Sequence, residues 1–339
     1  MKNPGYYLIS ILLLYLLSVS CSRTNQKTEQ PSLFSQWNQQ EVLELEIETD
    51  LATLFANGEK DQPANISWRN ADGSTQSLNA EVEVRGKTRR EICEFPPLKL
   101  KFDEDTLQAK GWNPAFENLK LVTHCMNGDE GLVLREYLTY LMLNQLTDKS
   151  FRVQLAKVTY RSNNETTKAF AFIIENNDEM AGRLSGKVLE EEELQLNSID
   201  AEQYRLLTVF QYMVGNTDWN LAKSHNIKLV NTGNANVPIP VPYDFDYSGL
   251  VNAPYAKPHP SMPIQTVRER FFQWRCSNTN GLDETLELFK QKKGVLYELV
   301  NDFDYLSQEV RQDILLYLDS FYSSLSDIPN LTLRTETVK

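Results

Sequence analysis

The chain has 339 residues, with 46 acidic against 34 basic side chains and a formal net charge of -12. That balance argues against a nucleic-acid backbone as partner, which needs clustered Lys and Arg, and its plain meaning is a solvated acidic surface. Beyond Cys21 there are only Cys93, Cys125 and Cys276, so at most one intramolecular disulfide can form and a disulfide-framed scaffold is excluded.

The first twenty residues, MKNPGYYLISILLLYLLSVS, read as a leader. Lys2 supplies a short positive start, Tyr6 to Leu17 is almost wholly apolar, and Ser18-Val19-Ser20 precede Cys21. The run is shorter than the ~20 apolar residues that cross a bilayer comfortably, and it fits the h-region of a signal peptide. Small residues followed by cysteine resemble a bacterial lipobox, although Ser18 stands where Leu is usual. That resemblance implies an acylated Cys21 as the new N-terminus, and several acyl chains on one cysteine anchor firmly. The expectation is an exported, membrane-anchored lipoprotein of the outer membrane, facing the periplasm or the surface. Ordinary secretion and a retained anchor are the alternatives. Residues 21–40 are polar with one Pro and read as the lipidated tether.

Residues 41–48, EVLELEIE, alternate apolar and acidic, the period of a half-buried strand. A short turn or helix follows at Leu51 to Phe55. Ile66 to Arg69 and Leu78 to Arg85 flank Asp72-Gly73 as a hairpin. In the strand Leu98 to Phe102, Lys99 and Lys101 face opposite to Leu98, Leu100 and Phe102. Leu132 to Leu146 is helix-like; Val153 to Tyr160 and Lys168 to Glu175 are two more strands. Glu190 to Glu193 open a helical region continuing through Ala201 to Val214, the acidic start favoured by the helix dipole. Ile227 to Val230 and Val241 to Tyr243 are short strands, and Asp283 to Leu325 is a helical tail. Strands first and helices afterwards predict an α+β protein. Its sheet-rich N-lobe spans 41–185, its helical C-lobe 186–325, and a tail 326–339, with the lobe junction near 175–190.

The densest polar pattern is Gly215-Asn216-Thr217-Asp218-Trp219-Asn220, then His225-Asn226-Ile227-Lys228-Leu229, then Pro242-Tyr243-Asp244-Phe245-Asp246-Tyr247-Ser248-Gly249. A hairpin of the two short strands would bring Asp218, Asn226 and Asp244 or Asp246 into one cleft. Carboxylates and an amide converging from separate loops suit Mg²⁺, which binds through one or two carboxylates plus substrate phosphates. A remaining carboxylate can accept the proton of an attacking hydroxyl, the division of labour in phosphoryl transfer. The bland reading of the same residues is turn and cap formation.

These segments resemble the catalytic and metal-binding segments of the spore-coat protein H (CotH) kinase family. HipA-like and lipid-kinase-like proteins are more distantly similar. Glu81-Val82-Glu83-Val84-Arg85-Gly86-Lys87-Thr88-Arg89, Pro97-Leu98-Lys99-Leu100-Lys101-Phe102 and Ala171-Phe172-Ile173-Ile174-Glu175-Asn176 resemble its RG-containing turn, its LKF strand and the strand leading to the lobe junction. The resemblance implies a two-lobed protein-kinase-like fold, with ATP and Mg²⁺ or Mn²⁺ as cofactors. It makes Asp218 the catalytic base or acceptor-positioning group, Asn226 the metal-binding amide and Asp244 the metal aspartate, which Asp246 could replace or assist. Lys99 or Lys101 would pair with nucleotide phosphates, Glu136 would orient that lysine, and Arg85 and Lys87 would approach phosphates from the turn. Asn220 is an alternative amide, because Asp218 and Asn226 lie further apart than in ordinary protein kinases, and no GxGxxG loop is present.

Three functions fit this pattern. One is a phosphotransferase acting on a protein or other hydroxyl acceptor; the second is an inactive kinase-like binding or assembly lipoprotein of the cell envelope. The third is a surface module for glycans or other polymers. No Gly-x-Ser-x-Gly elbow supports a serine hydrolase. His124 and His259 read as ordinary residues, Phe271, Phe272 and Trp274 as packing, and Cys93 with Cys125 as the pair that could bond in an oxidising compartment.

Overall fold

Alternating apolar residues in the first half build strands that close on themselves. The computed structural model describes residues 30–57, 60–189, 199–233, 237–275 and 279–335. The leader, Cys21, Cys276 and the acidic run 190–193 lie outside the described residues. The elements in order are α1 (Leu33–Trp37), β1 (Leu43–Glu48), α2 (Leu51–Asn57), β2 (Gln62–Arg69), β3 (Thr75–Val84), α3 (Thr88–Ile92), β4 (Leu98–Phe102) and α4 (Glu104–Ala109). They continue with β5 (Asn118–Val122), α5 (Gly131–Leu146), β6 (Val153–Ser162) and β7 (Glu165–Ile174).

The seven strands form a closed barrel in the order β1-β2-β3-β4-β5-β7-β6. The barrel is mostly antiparallel, as the sequence led us to expect; the exception is β1, which lies parallel to β6, from Leu43 beside Ala156 to Glu48 beside Arg161, and seals the edge. Closure removes the unpaired strand edges that an open sheet must protect. Leu45, Ile66, Val82, Leu100, Leu119 and Val158 fill the interior, all at 2% exposure or less.

Helix α1 corrects the reading of residues 30–40 as tether. Leu33, Phe34 and Trp37 fall on one helical face at i, i+1 and i+4 and are buried with the barrel core. The Trp37 ring meets Trp68 edge-on at 5.2 Å. Each such burial contributes ~1.5–3 kcal/mol, so this segment belongs to the domain. Its polar composition concealed three core side chains, Leu33, Phe34 and Trp37.

The second half adds α6 (Asn177–Arg183), β8 (Lys187–Val188), α7 (Ala201–Val214), β9 (Ile227–Asn231) and β10 (Ile239–Pro242), followed by α8 (Leu282–Asn301), α9 (Gln308–Ser324) and α10 (Ile328–Thr335). Strands β8, β9 and β10 form a small antiparallel sheet. The tail is helical as expected and divides into α8 and α9, because Ser307 caps a new N-terminus through the Val310 N–H at 3.3 Å. Helix α5 is apolar on nearly every side because it packs against β6, β7 and α8 at once. It carries the outer face of the barrel into the helical core, where Phe272 and Trp274 stack at 5.8 Å, as their composition suggested. The architecture is therefore mixed α+β, with a sheet-rich N-terminal region and a helical C-terminal region. Among the described residues no helix is long and apolar enough to cross a membrane.

Candidate functional site

A cleft of about 530 Å³ lies where the ends of β3 and β5, the start of α3, and the loops after α7 and β10 converge. Gly215 ends α7 in the left-handed conformation and turns the chain into Asn216-Thr217-Asp218. A Cβ at Gly215 would stand 2.0 Å from the Tyr317 hydroxyl, and one at Gly249 2.3 Å from the same oxygen. Both motif glycines are thus required by one tyrosine of α9. Between them Gly249 N–H donates to Gly215 O at 3.1 Å, and Leu250 N–H to Val214 O at 3.0 Å. These bonds fix the Asp218 loop against the Asp244–Gly249 loop.

Asp218 and Asn226 are brought together as the hairpin argument required. Asn226 Nδ2 donates to Asp218 O at 2.7 Å and to its Oδ2 at 3.0 Å, and His225 Nε2 lies 3.0 Å from Oδ1. The amide nitrogen of Asn226 is thereby committed, and Oδ1 is the atom it has left to offer a ligand. Asn220 instead pairs in an isolated bridge with His225, and its Oδ1 accepts from Lys223 N–H at 3.1 Å. Three non-glycine residues of the cleft hold positive φ: Ser224 at 48°, Asn226 at 56° and Asp244 at 63°. Such conformations cost on the order of 1–3 kcal/mol each and persist where the surroundings over-determine them. For Asp244 the fixing bond is its N–H to Tyr140 Oη, 2.8 Å.

The two aspartates around Phe245 have different environments. Asp246 is buried; its Oδ2 accepts from Arg89 Nε at 2.8 Å and from Tyr255 Oη at 3.1 Å. Asp244 keeps 44% of its side chain open, with Arg89 at 3.6 Å. Crowding at the cleft floor and the neighbouring Asp246 push the Asp244 carboxyl up to about 6, against the pull of Arg89 and Arg85. Because the side chain still faces solvent, water and incoming cations offset part of that push. Asp244 is therefore the carboxylate available to a metal, and Asp246 the one that holds Arg89.

Arg89 was missed in the sequence. It bonds Glu136 Oε2 at 2.6 Å as well as Asp246. Burial disfavours its charge, but Asp246 and Glu136 more than compensate and hold it well above the ordinary arginine range. The expected lysine partner of Glu136 is corrected accordingly: this carboxylate sits on α5 facing α3 and meets a guanidinium. Burial and its two acidic neighbours push Glu136 up to about 8, against the pull of Arg89.

Lys99 and Lys101 do not reach the cleft. They lie on the outer face of β4, where register sets them opposite Glu83 and Glu81, and they pair with these at 2.9 and 3.3 Å. The strand lysine that lines the cleft is Lys120 of β5, opposite Lys99 in the register. It donates to Asn177 Oδ1 at 2.8 Å. Burial, then the charges of Arg85 and Lys228, lower its pKa to about 8. The signal was the alternation Asn118-Leu119-Lys120-Leu121-Val122, a strand not read from the sequence. Arg85 lines the cleft at the end of β3, where burial lowers its pKa while Asp244 supports its charge. Lys87 is exposed at the rim. At pH 8 roughly half of Lys120 is neutral against well under a tenth for an ordinary lysine. Brief acetylation followed by peptide mapping should therefore modify Lys120 ahead of Lys99 and Lys101, and equal labelling of all three would contradict this environment.

The result is a cleft with Arg85, Lys87, Lys120 and Lys223 set against Asp218, Asp244, Asp246 and Glu136. Among the described residues no group of three or more His, Cys, Asp or Glu forms a cage that could hold a metal by itself. The open Asp244 with Asn226 fits the weaker case, a hard divalent ion held partly by a bound phosphate. Near the cleft, Cys93 at the end of α3 is disulfide-bonded to Cys125, settling a pairing the sequence left open. His124 packs on Phe95 at 4.8 Å, and His259 is exposed beside Ser261.

The sequence matches no protein-family model and no curated relative. Among solved structures, the proinflammatory kinase CtkA of Helicobacter pylori is similar over 76% of this chain and 95% of its own, with a TM-score of 0.42 and 10% identity.

Proposed function

We propose that the chain is a kinase-like, ATP- and divalent-metal-dependent phosphotransferase acting on a protein or other hydroxyl acceptor. The observation that carries this reading is the convergence of the half-buried Arg85 and Lys120 with the open Asp244 in one cleft. A polyphosphate with a bound divalent ion satisfies both walls: oxygens against the cations, metal against Asp244 and Asn226 Oδ1. Phosphoryl transfer asks mainly for such positioning and charge neutralisation. Asp218, at the mouth and 40% open, is placed to receive or orient the acceptor hydroxyl. A lipid on Cys21 and export to the envelope remain part of the proposal, supported by the leader pattern and by a disulfide of the kind that persists in oxidising compartments.

Calorimetric titration of residues 22–339 with ATP, with and without Mg²⁺ or Mn²⁺, tests this. We expect metal-dependent binding that Asp244→Asn weakens by at least roughly 10–100-fold, the loss seen even for outer partners of metal sites. Binding should also weaken as pH falls through about 6, where Asp244 takes up the proton that excludes a metal. A folded protein indifferent to millimolar ATP would end the enzyme reading. Binding without transfer to any hydroxyl would move it to an inactive assembly lipoprotein, a reading favoured by the way Asn226 and His225 occupy both oxygens of Asp218.

A further inference from the structure

With Arg85 and Lys120 given to a nucleotide, two exposed cations of the same cleft are left over. Lys87 comes from the turn between β3 and α3, and Lys223 from the loop between α7 and β9; both line the cleft. Neither makes an ion pair among the described residues. By contrast, Lys99 and Lys101 on the barrel are each paired with a glutamate of β3.

The backbone fixes where Lys223 stands. Asn220 and His225 exchange both backbone hydrogen bonds, at 3.0 and 2.9 Å, and close the tip 221–224. Leu221 is buried at 4% exposure, and Asn220 Oδ1 accepts from the Lys223 N–H at 3.1 Å. Through His225 and Asn226 the same tip is bonded to Asp218. Lys223 is thus carried by the element that holds the carboxylate at the mouth. Lys87 follows Gly86, whose φ of 90° turns the chain off β3 into the exposed rim.

Exposed cations at the mouth of a cleft, in a chain of net charge -12, are a local reversal of sign that favours an anionic partner. The same net charge limits its extent. A long polyanion needs a continuous track of Lys and Arg, and past the cleft it would meet an acidic protein. A short acidic stretch of polypeptide needs only these two lysines.

We infer that the acceptor is a protein segment whose hydroxyl residue has Asp or Glu within about three positions of it. The acidic groups pair with Lys87 and Lys223 while the hydroxyl meets Asp218; all three residues line one cleft, and three extended residues span about 10 Å. This rests on the phosphotransferase reading. In the transfer the acceptor oxygen bonds to the γ-phosphorus and the bond from that phosphorus to the bridging oxygen breaks. ADP leaves with the electron pair, and the hydroxyl proton goes to the Asp218 carboxylate.

The test uses the full chain in detergent with Mg²⁺ and three fluorescent peptides that share one serine and differ only in flanking Glu, Gln or Lys. Binding is read by anisotropy beside a non-hydrolysable ATP analogue, and transfer is read with ATP. The Glu peptide should bind at least about fivefold tighter than the Gln peptide, an advantage that shrinks as salt screens exposed charges. Lys223→Glu should weaken Glu-peptide binding about threefold to tenfold and leave ATP affinity within about twofold. Combined with Lys87→Glu it should turn the preference toward the Lys peptide. Equal binding of the three peptides would overturn the inference. So would a Lys223→Glu variant that loses ATP as much as peptide, or inorganic polyphosphate that displaces the Glu peptide and outbinds it. Selective Glu-peptide binding without transfer would sink the phosphotransferase reading and leave a site for acidic segments. Transfer to all three peptides alike would do the reverse.

Discussion

Replacing Arg89 with Met will cost the protein about 3–5 kcal/mol of stability at pH 7.5, the range measured when a buried ion pair loses one partner. The methionine fills much of the same space, so the loss comes from charge. Glu136 and Asp246 would remain buried at 2% and 5% exposure, with Asp244 nearby and no guanidinium between them. The pH dependence identifies the cause. Without Arg89, Glu136 and Asp244, already raised in the fold, bind protons more tightly there than in the unfolded chain, so stability falls as pH rises through their raised pKa values. Urea unfolding followed by circular dichroism should show the deficit of the variant narrowing from pH 7.5 toward pH 5. Adding Glu136→Gln should restore part of it. A deficit below about 1 kcal/mol, or one that does not vary with pH, would mean that the cluster is not held by this charge.

The way Arg89 escaped notice marks the limit of reading this chain as a sequence. Strands β4, β6 and β7, helix α5 and the β9–β10 hairpin followed from period and turn chemistry, because each announces itself over a few neighbouring residues. Asp218, Asn226 and Asp244 could be grouped because the loops that carry them lie within thirty residues of one another. Arg89 bonds partners 47 and 157 residues away, and nothing local separates it from Arg90 beside it. Lys120 was lost for a different reason. The polar face of β4 carries two lysines and that of β5 one, and only the register beside Glu83 and Glu81 shows that the first two are already paired. Barrel closure was equally hidden, since pairing β1 parallel to β6 joins segments over a hundred residues apart.

Removing the Cys93–Cys125 bond, as the double serine variant, should lower stability by about 3–4 kcal/mol, the loop-closure value for a 32-residue separation. Its position makes the consequence more than thermodynamic. Helix α3 has five residues, and isolated helices that short do not form in water. Its ends are fixed, Cys93 N–H donating to Arg89 O at 2.9 Å at one and Gly86, at φ 90°, turning it off β3 at the other, while Arg89 ties its middle to Asp246 and Glu136. Beyond the bond, Phe95 pairs with Cys125 and Asn127 N–H donates to Glu94. The disulfide thus clamps the segment that delivers Arg89 to Asp246 and Glu136, while leaving the barrel core around Trp37 and Trp68 untouched. Urea titrations of oxidised and reduced protein measure the first effect, and ATP titration without denaturant, at a temperature well below unfolding, measures the second. Loss of both would mean that the covalent bond, rather than the buried charge cluster, sets the position of α3. Loss of stability with nucleotide affinity retained would mean that Arg89 and its carboxylates hold the helix by themselves, and would make the Arg89→Met variant the one in which the cleft fails first.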